Sequence, residues 1–271
     1  MLQREREKMG SLLEELSPRL QKLKETLERF VVEECQPAEE EYELHIRDLI
    51  GASRWTMEAI PPCIERLKRR AQTLGLWNLF HELSSSVREY GILCEIMGQS
   101  FLAPEACNCS APDTGNMEVL MKHGTPAQQQ LYLQPLLQGK IRSAFLMTEP
   151  QVASSDATNI QTKLTKLTND TYILNGRKWW STGAMDPRCK VALVLAKMDY
   201  SQLPQQQQQH ASSLSTINPH KLHTGTYFHQ HYQYLFIYYH TTSFSQLFLI
   251  SIIYYINMID YFKNIFLMLF V

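Results

Sequence analysis

The stretch from residue 141 to 183 constrains this chain more than any other. It reads Ile141-Arg-Ser-Ala-Phe-Leu-Met-Thr-Glu-Pro150, then Gln151-Val-Ala-Ser-Ser-Asp156, and it closes on Leu174-Asn-Gly-Arg-Lys-Trp-Trp-Ser-Thr-Gly183. Residues 143–148 alternate. Ser143, Phe145 and Met147 fall on one face, and Ala144, Leu146 and Thr148 fall on the other. A period of two is the mark of a β-strand, and Pro150 stops it. The loop from Gln151 to Asp156 is small and polar, so its backbone N–H groups and hydroxyls stay open to a phosphate or a ring edge. Ile160, Thr162, Leu164 and Lys166 come next with strand spacing, then an Asn169-Asp170 turn, then Tyr172-Ile-Leu174. Asn175-Gly176 is the dipeptide of a type I′ hairpin turn. Val191-Ala-Leu-Val-Leu-Ala196 reads as one more buried strand.

The residues before 140 read as helices. Leu12, Leu13, Leu16, Leu20, Leu23, Leu27, Phe30 and Val31 recur at helical spacing, with Glu and Lys opposite them, and Pro37 is expected to interrupt this helix. Residues 45–60 read as a loop or short helix around Trp55. Pro61-Pro62 opens the next helix, since proline is tolerated in a first turn. Ile64, Leu67, Ala71 and Leu74 form its inward stripe, and Gly75 ends it. Ser86-x-x-Glu89 and Thr125-Pro-x-Gln128 are capping boxes, each starting a helix. Phe101 to Gly115 is expected to be loop, and Pro135 with Gly139 to limit the last helix. Leu67, Leu74, Leu93, Met97 and Leu131 are the expected core. Helices followed by strands give an α+β fold, with a helical domain at 1–140 and a β-domain at 141–200.

Composition excludes more than it selects. The formal net charge of −1 gives no reason to expect nucleic-acid binding. The six cysteines are scattered without framework spacing, which suits a reducing compartment. Cys107-x-Cys109 has no second ligand pair, so the sequence assigns no metal site. The acid-containing N-terminus, Met1-Leu-Gln-Arg-Glu-Arg-Glu-Lys, makes a poor transit peptide.

The two separated motifs, Met-Thr-Glu-Pro…Ser-Ser-Asp and Asn-Gly-x-Lys-x-Trp-x-Thr-Gly, resemble those of the acyl-CoA dehydrogenase family, and above all its members 10 and 11. The stretch Asn108-Cys-Ser-Ala-Pro-Asp-Thr-Gly-Asn116 fits as well, and the likeness runs from about Ser17 to about Asp199. The resemblance implies FAD as cofactor and α,β-desaturation of acyl-CoA in fatty acid β-oxidation. By it, Trp180 packs against the flavin ring. Thr148 and Thr182 bond its polar edges, Phe145 and Met147 line the neighbouring strand, and Ser154 and Ser181 belong to the same cofactor site. Ser155 sits where flavin and acyl-CoA meet. A flat amphipathic ring needs an aromatic face and donors at its edge, which these residue types supply. The plainer reading is a surface hairpin in which Trp179 and Trp180 cover a sheet. Glu149 invites the role of base. In the family that base comes from a later helix, so Glu149 is read as structural and no catalytic residue is assigned. The family further implies a homo-oligomer, electron-transfer flavoprotein as acceptor, and a mitochondrial or peroxisomal place.

The character changes after Asp199. Gln205 to Gln209 is a homopolymer, and Tyr, Phe, Ile, Leu, His and Asn dominate the remaining residues. Residues 201–271 are therefore expected to be a low-complexity, disordered tail unrelated to the family, with its C-terminal helical bundle missing and no further strand partners for residues 141–196. Translated non-coding sequence explains such a composition. His220, His223, His229 and His231 lack a supporting Cys or carboxylate for metal. Leu247 to Leu269 is near the ~20 residues of a membrane span. However, Asp260 and Lys263 would each cost about 2.5–3.5 kcal/mol at a bilayer centre. Three functions are open: an acyl-CoA dehydrogenase fragment without activity, a non-enzymatic chain that binds a full-length relative, or a tail-anchored membrane protein.

Overall fold

A computed structural model describes residues 17–82, 86–166, 171–199, 233–238, 250–257 and 268–269. The chain forms two compact units, Met1–Thr114 and Gly115–Val271. The expectations for Leu12, Leu13, Leu16, the Asn169-Asp170 turn, the glutamine run and His220, His223, His229 and His231 lie outside the described residues.

In the first unit a helix spans Pro18–Phe30, capped by Ser17, whose Oγ accepts the Leu20 N–H at 3.2 Å. Leu20, Leu27 and Phe30 are its buried face. Pro37 does not interrupt the path. A five-residue π-turn, Val31–Cys35, leads straight into the helix Gln36–Ile46. A proline lacks the N–H an α-helix needs and crowds the carbonyl four residues back. Here the Gln36 N–H reaches Val31 O, five residues back, so the turn widens just ahead of the ring. The helix Pro62–Leu74 starts after Pro61 and ends at Gly75, whose φ of 72° is the left-handed conformation glycine adopts freely. Ile64, Leu67 and Ala71 are buried along it, while Leu74 is half-buried. Ser86 caps Val87–Met97, which buries Leu93 and Met97. The expected loop from 101 is partly helical, with a turn at Ala103–Ala106 and a helix from Asp113. Cys107 and Cys109 are buried between these two helical stretches of sequence. Burial pushes the Cys107 thiol well up and the Cys109 thiol to about 11.

The second unit begins within the helix Asp113–His123. Gln129 Nε2 donates to the carbonyls of Leu120, Met121 and Gly124 and so closes that helix. Thr125 forms the expected capping box with Gln128 at the start of Pro126–Gln128. Pro135 does not stop the helix either. A second π-turn, Gln129–Leu133, precedes Gln134–Leu137. It inserts one residue into the helical count, so the inward stripe moves on. Tyr132, Leu133 and Leu136 are buried, and Leu131, expected in the core, is 50% exposed.

Four strands carry the motifs: β1 (Arg142–Leu146), β2 (Lys163–Lys166), β3 (Thr171–Lys178) and β4 (Cys189–Asp199). β4 is central. It runs parallel to β1 through Val191–Val194 and parallel to β2 through Lys197–Asp199, while β2 and β3 pair antiparallel. Residues 191–196 are all buried, as their unbroken apolar run requires of a strand covered on both faces. Ala144, Leu146, Leu164, Leu174, Ala192, Val194 and Ala196 pack as one core. Asn175-Gly176 is not a turn. It lies inside β3, with Asn175 opposite Lys163. Three tail segments, β5 (Gln233–Tyr238), β6 (Ile250–Asn257) and β7 (Met268–Leu269), join the ladder, β5 on β4, β6 on β3 and β7 on β5. The strands before residue 200 thus do have later partners. The tail's Tyr, Ile and Phe favour extended backbone, and open strand edges accept such segments. The remainder of 201–271 lies outside the described residues. Among the described residues, no helix is long and apolar enough to cross a membrane.

Candidate functional site

β1 ends at Leu146, and its exit carries Met147, Thr148 and Glu149. β3 ends at Lys178, followed by Trp179 and Trp180. The two exits are tied together. The Trp179 N–H donates to Thr148 O at 3.0 Å, and Lys178 Nζ donates to Met147 O at 2.7 Å. Leu174, Gly176 and Lys178 share one face of β3 by the period of two. Leu174 and Lys178 are accordingly buried, and Asn175 and Arg177 are not.

A lysine that is 1% exposed needs an anion, and Glu149, 4% exposed, supplies it at 2.8 Å. The Glu149 carboxylate accepts three more hydrogen bonds: the Gln161 N–H at 2.6 Å, the Thr162 N–H at 2.9 Å and the Thr162 hydroxyl at 2.5 Å. Burial pushes this carboxyl up, but the bonds from Lys178, Thr162 and Gln161 outweigh burial and hold it below its ordinary range. Burial lowers the Lys178 ammonium, with Glu149 opposing. Removing one partner of such a pair leaves a buried charge and costs about 3–5 kcal/mol. Gly176 is required by this cluster. A Cβ there would collide with Thr162 Oγ1 and lie 2.5 Å from Thr162 Cβ.

The residues read as cofactor-binding take three kinds of place. Phe145, Met147 and Thr148 are half-buried along β1 and its exit. Ser154 is buried. Its hydroxyl accepts the Glu149 N–H at 2.8 Å and donates to Val152 O at 3.3 Å, so it shapes the loop. Ser155, Trp180 and Thr182 are exposed, and Ser181 is half-buried. Trp180 is 80% exposed and has a φ of +51°. A left-handed backbone costs a residue with a Cβ about 1–2 kcal/mol, and such outliers cluster at functional sites. Trp179 lies beside it, ring centroids 5.7 Å apart. Asp156 accepts the N–H and hydroxyl of Thr158, at 2.9 and 2.7 Å, and caps the turn Ala157–Asn159.

Residues 144–232 match the family described as acyl-CoA dehydrogenase, middle domain. The mouse protein named acyl-CoA dehydrogenase family member 10 is 47% identical over 206 residues, 72% of this chain. Family member 11 of chicken is 48% identical over 174 residues, 63% of this chain. A solved structure assigned as an acyl-CoA dehydrogenase of Mycobacterium abscessus covers 82% of this chain at 36% identity and a TM-score of 0.64. The chain is a relative of the acyl-CoA dehydrogenases. It spans 18% and 22% of the two curated relatives and 50% of the solved one. The match to the acyl-CoA dehydrogenase middle domain runs past Asp199, where the motif likeness stops. Sequence reasoning missed the roles of Lys178, Thr162 and Gly176 within this segment, and that of Asn116 ahead of it. Asn116 Nδ2 donates to Ser143 Oγ at 2.8 Å and Ala144 O at 3.1 Å, fixing β1 to the helix Asp113–His123. A signal for Lys178 was available: it shares strand parity with Leu174, so it points inward and calls for a carboxylate.

Proposed function

We propose that this chain carries the flavin- and acyl-CoA-binding strands and loops of an FAD-dependent acyl-CoA dehydrogenase, whose reaction is α,β-desaturation of an acyl-CoA thioester. The observation that carries the reading is Trp180: an exposed indole, held in a left-handed backbone, beside a strand exit tied to that of β1 by hydrogen bonds. The residues present fit the group. Trp180 offers a flat aromatic face, Thr148 and Thr182 offer hydroxyls for a polar ring edge, and Phe145 and Met147 offer apolar contact along β1. Ser155, exposed on the loop after Pro150, would sit where flavin and acyl-CoA meet, and Ser154 shapes that loop through its hydrogen bonds. When bound, FAD would supply the hydride acceptor for the desaturation. This chain's own residues bind and orient; Glu149, spent on four hydrogen bonds, is not the base that removes the α-proton. A homo-oligomer and an electron-transfer flavoprotein acceptor complete the proposed setting.

The test is flavin retention. The purified chain, loaded with FAD and desalted, is expected to keep bound-flavin absorbance. Trp180→Ala is expected to lose it, and Thr148→Val to weaken binding by a hydrogen bond worth about 0.5–1.5 kcal/mol. Equal retention by both variants and the parent overturns the reading.

A further inference from the structure

Glu149 and Lys178 are not among the groups assigned to the flavin, yet they bond to the segments that present those groups. The Glu149 carboxylate bonds Gln161 and Thr162 at the entry of β2 and Lys178 at the end of β3. Lys178 also holds Met147 O, next in sequence to Thr148. Trp179, between Lys178 and Trp180, is bonded to Thr148 O. Thr162 O in turn accepts the Lys197 N–H of β4 at 2.8 Å, which anchors the cluster to the central strand. Apolar side chains of equal volume would fill this space without burying charge, and such replacements are often neutral or stabilising. What they would not supply is direction. An ammonium bonded both to a carboxylate and to a main-chain carbonyl fixes the separation of two strand exits.

We infer that Lys178 and Glu149 are positioning residues: a buried clamp that sets the Thr148 and Trp180 arms at fixed separation and holds Trp180 in its left-handed backbone. The inference rests on the proposed flavin role for what Thr148 and Trp180 receive, but the clamp itself is readable without flavin. Trp179 and Trp180 stand close enough for their indoles to couple, so the clamped arrangement has a signature in the exciton couplet of the far-ultraviolet circular dichroism spectrum.

The experiment uses the full chain with three substitutions: Lys178→Met, the double variant Lys178→Met with Glu149→Leu, and Thr162→Val. FAD affinity is read by quenching of flavin fluorescence, the couplet without FAD, and folding by helical signal. The single variant leaves a buried charge and is expected to unfold at lower denaturant. The double variant is expected to fold, to lose the couplet and to bind FAD at least tenfold more weakly. Thr162→Val, which removes one hydroxyl from the carboxylate, is expected to weaken both signals by less. A folded double variant with the parent's couplet and the parent's FAD affinity overturns the clamp. If the double variant unfolds, Thr162→Val decides by the same two readouts. A parent that shows the couplet but binds no FAD sinks the flavin reading alone, and loss of the couplet in the variants then still upholds the clamp.

Discussion

At the scale of single residues, one position carries backbone strain. Trp180 sits at φ +51° with its ring in solvent. Glycine adopts that backbone without strain, and alanine does not. Trp180→Gly is therefore expected to be more stable than Trp180→Ala by about 1 kcal/mol, although both lose the aromatic face; thermal midpoints of the two variants check this. Glu149 gives a pH dependence. Its folded-state carboxyl lies below the ordinary value, so its contribution is complete above about pH 4.3 and is lost as pH falls through the lowered folded value. The parent's urea midpoint should fall on acidification below about pH 4.3, and that of Glu149→Gln should fall less. A remaining slope is expected. Thr158 holds Asp156 low, and at Asp186 burial pushes the carboxyl up but the Arg188 hydrogen bonds more than offset it. The residue scale is also where the sequence was hardest to read. The aromatic face and the small polar loop are visible as letters. The bond between Glu149 and Lys178 joins residues 29 apart, and no local pattern encodes it.

At the scale of elements, most helices were legible because their signals are local. Ser17, Ser86 and Thr125 each accept an N–H three residues on, and Gly75 ends its helix in the left-handed conformation. The two proline misreadings share one cause. Pro37 and Pro135 each come after a π-turn and a glutamine, Val31–Cys35 with Gln36 and Gln129–Leu133 with Gln134. In both, the widened turn lets the helix carry a proline that a strict 3.6-residue count treats as a stop. The same turn shifts the inward face from Leu131 to Tyr132 and Leu133. Leu131→Lys should thus change stability by no more than about 0.5 kcal/mol, while Leu136→Ala should cost about 2–5 kcal/mol. Chemical denaturation of the two variants separates the shifted stripe from the regular one. Asn175-Gly176 was misread for a different reason. Its glycine answers a need for space opposite Thr162, which no dipeptide rule encodes.

At the scale of the whole molecule, the proposed function gives this chain binding and not proton removal. Removing the α-proton needs a base within about 3 Å of it. In the motif region the described carboxylates are engaged: Glu149 with Lys178, Thr162 and Gln161, Asp156 with Thr158, Asp186 with Arg188. The 271-residue chain supplied with FAD is therefore expected to give no acyl-CoA-dependent dye reduction over several chain lengths. Turnover that vanishes in a Thr148→Val, Trp180→Ala variant would show that one of these carboxylates is freed. The α+β order of the chain and its family likeness were legible from the two motifs. The pairing of β5 and β6 with β4 and β3 was not, because the tail has no periodic pattern to set a register.

The contact at Gly176 limits how this segment can diverge. A Cβ at 176 would collide with Thr162 Oγ1 and fall 2.5 Å from Thr162 Cβ, so trimming Thr162 to serine or alanine leaves the collision in place. With this backbone, one of the two positions must be glycine. Gly176 can gain a side chain only in a lineage that has first emptied position 162, and that step strips Glu149 of its hydroxyl donor. Glycine at 162 leaves the carboxylate its Lys178 and main-chain donors, so drift at the two sites is coupled and open in one order only, 162 before 176.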